Sequence, residues 1–222
     1  MKTIIALTFT FLLIVTNSFG QLKGSGKTII KTYDYKNFDK IYFDDLDGKL
    51  EVEIGLTWSI SVTIDDNLEY LLAFDENKLN NELKVYFKGN NNNNLYIEET
   101  HIKIKVTMPI AVSIRHNGNS RLTVNNISGD YFKFENKGNA TTNINGSIVN
   151  LEIKNTGNGN TYAENLTTKT AIIKCSGNGN VTLNVSESLT AKASGNSSVK
   201  NKGKAKFDEN SSRSGNSKLI NL

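Results

Sequence analysis

Few side chains in this sequence have the types and spacing for chemistry, and the most regular of them form a row of charges. The row stands three residues before each of six glycines and consists of Arg115, Glu135, Lys154, Lys174, Lys192 and Ser212. Glycosidic cleavage needs a pair of carboxylates, and this row offers a single acid among cations. The row favours binding of a repeating anion, with Arg115, Lys154, Lys174 and Lys192 as candidate ligands. The alternative is a solvated lysine surface that keeps a sheet from pairing at its edges.

A metal centre or a nucleophilic site is not predicted. Zinc sites usually use three or four His, Cys or carboxylate ligands, and His101, His116 and the single cysteine Cys175 are not placed near one another by any motif. Calcium-binding β-rolls repeat every nine residues with an aspartate in each turn, whereas the turns here carry neutral asparagine. Cys175 is expected to be a small buried residue. The sequence therefore predicts no catalytic residue, no metal and no cofactor.

The elements that must position the charged row repeat along the chain. A Gly-Asn pair recurs at intervals of 18 to 20 residues, as Gly118-Asn119, Gly138-Asn139, Gly157-Asn158, Gly177-Asn178, Gly195-Asn196 and Gly215-Asn216. A fixed period near 20 residues is typical of a solenoid, in which each coil buries its apolar side by stacking on its neighbours. The repeat thus predicts stacked coils with one charged residue of the row on each.

Alternating apolar residues on both sides of each Gly-Asn pair indicate strands with one buried face. Before Gly157, for example, Leu151 and Ile153 alternate with polar residues, and Thr161 and Ala163 follow in the same way. A two-residue antiparallel hairpin is the rival interpretation of Gly-Asn, but it does not explain the period. We therefore predict an all-β, parallel β-helix. In it the glycines form strained corners and the asparagines bond from coil to coil as a structural ladder.

The remaining chain divides into a leader, a cap and the repeats. Residues 1–20 have a positive start, an apolar segment and a small-residue cleavage pattern, which predict a signal peptide with Gln21 as the mature start. Residues 21–36 are expected to be a leader, with 21–25 loose, and 37–222 a single domain. Within that domain 37–110 predict an N-terminal β-rich cap and the first strands, with one short helix at 66–74, and 111–222 predict the Gly-Asn repeat coils.

Charge and targeting restrict the partners. The formal net charge of the sequence is +4, which is mild, and export makes a nucleic-acid partner less plausible still. No further long apolar run follows the signal peptide, so no transmembrane segment is predicted in the mature chain. The expected location is the periplasm, the outer cell surface or the medium.

Five features of the sequence occur together, namely the signal peptide, the strands of 36–64, the segment 68–74, the run Lys-Ile-Lys-Val-Thr-Met-Pro at 103–109 and the corner Ser-Gly-Asn-Gly-Asn at 176–180. In this combination the sequence resembles the auto-transporter adhesin head, or GIN, domain family of exported proteins in Bacteroidota. The resemblance implies a right-handed parallel β-helix over nearly all of the mature chain and an adhesive role. It supplies no functional residues.

The expected function is that of a non-enzymatic binding or adhesive module, with an acidic glycan or another component of the cell envelope as its partner. The alternative is a polysaccharide lyase or hydrolase on the same scaffold. A comparison of glycan binding with polysaccharide degradation separates the two.

Overall fold

The computed structural model describes residues 22–90 and 94–222, so the predicted signal peptide and Gln21 lie outside the described residues. Within them the chain forms strands and one short 3-10 helix, η1 at Glu69–Leu71. The strands are β1 Thr28–Tyr33, β2 Lys40–Asp44, β3 Lys49–Ile54, β4 Ser59–Asp65, β5 Leu72–Asn77, β6 Glu82–Phe87, β7 Lys103–Met108, β8 Ser113–Asn117, β9 Arg121–Asn136, β10 Thr141–Gly157, β11 Asn160–Gly177, β12 Asn180–Ala193, β13 Ser198–Asn201, β14 Ser212–Arg213 and β15 Lys218–Asn221.

The repeat region is a parallel β-solenoid, which confirms the predicted fold class. Strands β9 to β12 pair in parallel order, and each of them forms the end of one coil and the start of the next. Equivalent positions stack across coils, so that Ile153 lies opposite Phe134 on one side and Ile173 on the other. All three side chains are fully buried. The core is therefore a continuous apolar column, as the alternating pattern predicts.

The Gly-Asn corners are closely packed. Gly177 has φ +93°, and a Cβ atom placed on it would lie 2.4 Å from the carbonyl oxygen of Gly157 in the neighbouring coil. Any larger residue would therefore meet both backbone strain and a collision with main-chain atoms. Close stacking of glycine on glycine allows the coils to approach to the ordinary strand spacing.

Parallel stacking extends beyond the Gly-Asn repeats into residues expected to form the cap. Strands β2 and β3 form a coil that pairs in parallel with β8 and with the start of β9. Strands β6 and β7 form a further coil on its outer side. Antiparallel strands then cover this end, because β4 pairs with β7, β1 with β4 and β5 with β6. Residues 37–110 thus contain both the first coils of the solenoid and the strands that cover its end.

Two local predictions differ from the structure. The helix expected at 66–74 is only the 3-10 turn η1, and the chain continues as β5. Asp66 does not cap a helix, since its carboxylate accepts a hydrogen bond from Ser25 Oγ (2.7 Å) and pairs with Lys27 (3.2 Å). Leu72 and Ala73 are held instead by pairing with β6. The leader of 21–36 contains the ordered strand β1, which pairs with β4.

The C-terminal coil is stacked but thin. Strand β15 pairs in parallel with β13, and β14 pairs with β12 through two residues. Leu219 and Ile220 of β15 are only half-buried. Within the described part of the chain, no helix has the length and apolar character needed to cross a membrane.

Candidate functional site

The structure brings three of the four predicted cations together on one outer face of the solenoid. Lys154 lies opposite Lys174 in the neighbouring strand, and Lys174 lies opposite Lys192 in the next. Because neighbouring strands are about 4.8 Å apart, these side chains form a linear array of like charges. Lys174 and Lys192 are exposed and Lys154 is half-buried.

These lysines line an open groove, here called the lysine groove, of about 570 Å³. A row of hydroxyl side chains runs beside them, one on each coil. The groove is lined by Lys154, Thr156, Lys174, Cys175, Ser176, Lys192, Ala193, Ser194, Ser212, Arg213 and Ser214. Ammonium groups and hydroxyl groups both donate hydrogen bonds, so the lining is suited to an oxygen-rich anion.

The lysine groove carries a surplus of positive charge. Within residues 22–90 and 94–222, none of Lys154, Lys174 and Lys192 forms an ion pair. The carboxylate nearest in register is Glu135, opposite Lys154. Glu135 is already paired with Lys133 at 3.0 Å. Lys154 therefore lies beside a carboxylate, whereas Lys174 and Lys192 stand opposite other lysines, an arrangement that does not help folding.

Arg115 holds the predicted register but does not belong to the lysine groove. It lies opposite Glu135 and, on the other side, Tyr42. Its guanidinium donates two hydrogen bonds to the carboxylate of Glu82, at 2.5 and 2.7 Å, and lies 4.2 Å from the centre of the Tyr42 ring. These contacts hold the guanidinium group against Glu82 and Tyr42, and its Nε is buried without a partner among the described residues.

Two carboxylates on the same face share one lysine. Lys133 contacts Glu135 at 3.0 Å and Glu152 at 3.5 Å, and the Tyr131 hydroxyl donates to Glu152. Burial raises the pKa of Glu135, but the hydrogen bond from Lys133 and the charges of Lys133, Lys154 and Lys137 outweigh it and hold that pKa below its ordinary value. Glu135 is therefore ionised at neutral pH and unsuited to protonate a leaving group.

The predicted asparagines form a ladder along one edge of the solenoid. Each side-chain amide donates to the amide oxygen of the preceding coil, from Asn139 to Asn119, Asn158 to Asn139, Asn178 to Asn158, Asn196 to Asn178 and Asn216 to Asn196. The distances run from 2.7 to 3.1 Å. The glycines Gly118, Gly138, Gly157, Gly177, Gly195 and Gly215 stack beside them. The side-chain amides hydrogen-bond to one another, so their role is structural.

A second polar row lies inside the solenoid, and sequence reasoning assigned it no role. His116, Asn136, Asn155 and Cys175 stand two residues before successive glycines and are buried. His116 Nδ1 contacts Asn136 Oδ1 (3.2 Å), Asn136 Nδ2 donates to Asn155 Oδ1 (2.8 Å), and Asn155 Nδ2 donates to the Gly159 carbonyl (2.9 Å). This inner column ties each strand across its corner. The sequence indicates this column through polar residues at positions of the alternating pattern that face inward.

The titratable members of the inner column are held uncharged. Burial lowers the pKa of His116 to about 4, although its hydrogen bond with Asn136 acts the other way. Burial also raises the pKa of the Cys175 thiol, which donates to the Gly179 carbonyl at 3.4 Å. A protonated, enclosed thiol is a poor nucleophile. Cys175 is thus a packing residue with a hydrogen bond.

Fold and site together define a parallel β-solenoid with an open, cationic surface groove. The family described as "Putative auto-transporter adhesin, head GIN domain" matches residues 37–205. The chain belongs to this family, which confirms the resemblance seen in its motifs.

Solved structures share the fold at low sequence identity. A protein from Bacteroides fragilis that is described as an adhesin has a TM-score of 0.66 at 19% identity, and the match covers 90% of this chain and 100% of the other. A protein described in the same way from Parabacteroides merdae has a TM-score of 0.53 at 19% identity, covering 90% and 98%. A protein from Parabacteroides distasonis described as lipid binding has a TM-score of 0.56 at 18% identity, covering 90% and 99%. Among curated proteins no match was found.

Proposed function

We propose that the protein is a cell-surface adhesin that binds an acidic polysaccharide along the lysine groove. The observation that carries the proposal is the register of Lys154, Lys174 and Lys192, which share one open groove and form no ion pair with any described residue. A polymer with regularly spaced charges, laid along the solenoid axis, would meet one ammonium group at every coil. Such an array gains strength from repetition, because each added contact is made within the same complex.

The contrast between the two ends of this face supports the choice of the lysine groove. Toward the N-terminal end, Arg115 is bound to Glu82 and Lys84 to Asp44 (2.7 Å). Among the described residues Lys154, Lys174 and Lys192 have no such partner. A ligand carboxylate or sulfate at the groove would supply the missing counter-charges, and the hydroxyls of Ser176 and Ser194 could donate to its oxygens.

Adhesion without catalysis is supported by the family and by the state of the carboxylates. An adhesin family fits a location outside the cell, in agreement with the signal-peptide pattern of residues 1–20. A lyase or hydrolase needs a proton donor or base with a suitably shifted pKa beside the sugar. Glu135 has the opposite shift and is paired with Lys133.

The test is binding to polygalacturonate, with dextran as the uncharged comparison. The variant carries Lys154→Gln, Lys174→Gln and Lys192→Gln together. We expect it to lose at least about tenfold in affinity, an amount equal to roughly 1.4 kcal/mol, and to lose the salt dependence of binding. Its melting temperature should stay the same or rise, since like charges are removed.

A matched control separates the groove from overall charge. Lys103, Lys200 and Lys218 lie on strands on the other side of the glycine corners and form no ion pair within the described residues. Their triple change to Gln removes the same charge and should leave binding intact. Equal losses in both variants, or no binding by the wild type, would contradict the proposal. Release of unsaturated or reducing sugar ends from polygalacturonate would favour the enzyme alternative, and preferential binding to lipopolysaccharide would indicate a phosphate-bearing ligand.

A further inference from the structure

A second concave surface lies on the strands that follow the glycine corners. It is lined by Asn143, Ile144, Asn145, Tyr162, Glu164 and Asn165 and has a volume of about 310 Å³; it is called the tyrosine groove below. Tyr162 is 39% exposed, and its neighbours in register are Asn143 and Thr182. An exposed aromatic ring between short polar side chains is open to a ligand from the solvent side.

Irregular pairing gives the tyrosine groove its shape. The register between β10 and β11 shifts between Asn143 and Asn145. Between β11 and β12 the pairing passes from Ala163 directly to Thr167. Residues 164–166 therefore have no partner in β12; Glu164 and Asn165 line the groove beside Tyr162, while Leu166 is fully buried. Bulges commonly redirect side chains in this way at binding surfaces.

The polar groups of the tyrosine groove have unused hydrogen-bonding capacity. Asn143 and Asn165 are exposed, and their amides form no hydrogen bond within the described residues. Glu164 Oε1 pairs with Lys202 at 3.5 Å, whereas its Oε2 is buried and has no partner among those residues. A carboxylate oxygen without a donor gains one if Glu164 turns toward the groove that it lines and accepts a hydrogen bond from a ligand hydroxyl.

We propose that the tyrosine groove binds an uncharged pyranose sugar. The apolar C–H face of the ring would stack on Tyr162, while its hydroxyls donate to Glu164 and exchange hydrogen bonds with Asn143 and Asn165. Lys202 balances the charge of Glu164, so the groove has no surplus positive charge to attract an anion. Its volume is at the lower end of the usual range for ligand pockets, which suits one or two sugar units.

This inference does not rest on the lysine groove, because it concerns other strands and a ligand without charge. Either site can fail its test while the other passes. The two are also distinguished by salt, since binding of a neutral sugar should be unchanged between about 0.05 and about 0.5 M NaCl.

The experiment uses the whole mature chain and four uncharged hexasaccharides, namely maltohexaose, cellohexaose, laminarihexaose and mannohexaose. Binding is followed by saturation-transfer NMR and by titration calorimetry. At least one of these sugars should bind the wild type, and Tyr162→Ala should weaken that binding by at least about tenfold. Tyr162→Phe, which keeps the ring, should stay within about threefold, and Glu164→Gln should weaken binding.

Tyr70→Ala is the matched control, because Tyr70 is 62% exposed and lies in η1, away from the groove. It should bind like the wild type. The proposal is overturned if none of the sugars binds, if Tyr162→Ala and Tyr70→Ala behave alike, or if Tyr162→Phe loses binding as fully as Tyr162→Ala. Melting temperatures equal to the wild type's establish that the variants are folded.

Discussion

His116 shows how a single buried residue couples the solenoid to pH. Its Nδ1 faces the oxygen of Asn136, so that this nitrogen carries the proton of the neutral ring and Nε2 accepts from the Ser120 hydroxyl. Protonation of Nε2 would bury a charge and break the bond from Ser120. The folded pKa of about 4 lies below the usual value of 6.5, so the unfolded chain binds more protons between these two values.

From this we predict a loss of stability as pH falls from about 6.5 toward 4. The loss should approach roughly 3 kcal/mol, the free-energy equivalent of the pKa difference. His116→Asn, which continues the row of inner asparagines, should lack this component. Urea denaturation at several pH values measures it. Parallel pH profiles for both proteins would contradict the assignment of the effect to His116.

Gly177 shows a second constraint on a single residue, because there is no space for a side chain at its position. Its added Cβ would lie 2.4 Å from the Gly157 carbonyl oxygen at a φ of +93°, whereas Gly26, with φ +80°, has no atom within 4 Å of the same position. Gly177→Ala should therefore destabilise by more than the 1 to 2 kcal/mol or so of backbone strain that Gly26→Ala shares. Thermal unfolding of both variants measures the difference. Equal shifts would mean that the stacked carbonyl yields at little cost.

At the scale of the element, each strand of the solenoid has one face in the core and one in solvent. Ile173 of β11 is fully buried between Ile153 and Ala191. Its neighbour Ile172 is 55% exposed between Glu152 and Thr190. The two isoleucines differ only in the face on which they lie, and they form a natural pair of test and control.

Ile173→Ala should cost roughly 2 to 5 kcal/mol, because it removes buried apolar contacts and leaves a cavity in the column. Ile172→Ala should change stability by less than about 0.5 kcal/mol. Chemical denaturation of the two variants gives both numbers. A larger loss from Ile172→Ala would mean that the outer face is covered in the folded protein.

The elements that could be predicted from sequence are those whose partners lie one period away. Corners and alternating strands of β9 to β12 follow from local pattern, since each coil stacks on the next one in the chain. The β2–β3 coil lacks a Gly-Asn corner, and its partner β8 lies about 70 residues later, a pairing that no local pattern reports. The segment at 66–74 has helical spacing in Leu68, Leu71 and Leu72, but only the single turn η1 forms there. From Leu72 onward the chain pairs with β6 as a strand.

The same limit explains the outcome for the charged row. Register along the repeats places Lys154, Lys174 and Lys192 correctly, because it follows directly from the period. The partner of Arg115 is Glu82, on the β6–β7 coil. That coil follows β2–β3 in the sequence but stacks on its outer side, so the ion pair is visible only in three dimensions. The missing pairing of residues 164–166 with β12 likewise arises from unequal coil lengths, which an alignment with a fixed period does not show.

At the scale of the whole molecule, the two ends of the solenoid are closed to different degrees. Antiparallel strands β1, β4 and β5 cover the N-terminal end, and Asp65 fastens them by accepting hydrogen bonds from the backbone of Gly26 (2.9 Å) and His101 (2.7 Å). At the other end β15 has four residues, and β14 has two. Each coil of a solenoid is stabilised by its neighbours, and a terminal coil has a neighbour on one side only.

We therefore predict that the solenoid opens from its C-terminal coil. Amide hydrogen exchange should be fastest in β15, slower in β13, and slowest in β10 and β11, whose backbone bonds to coils on both sides. Leu219→Asp should speed exchange in β15 and β13 with little effect on β2 and β3, since openings of a nearly one-dimensional array stay local. Mass spectrometry of pulse-labelled peptides resolves these strands. Uniform protection along the chain would show instead that the solenoid unfolds as one cooperative unit, with the last coil held as firmly as the centre.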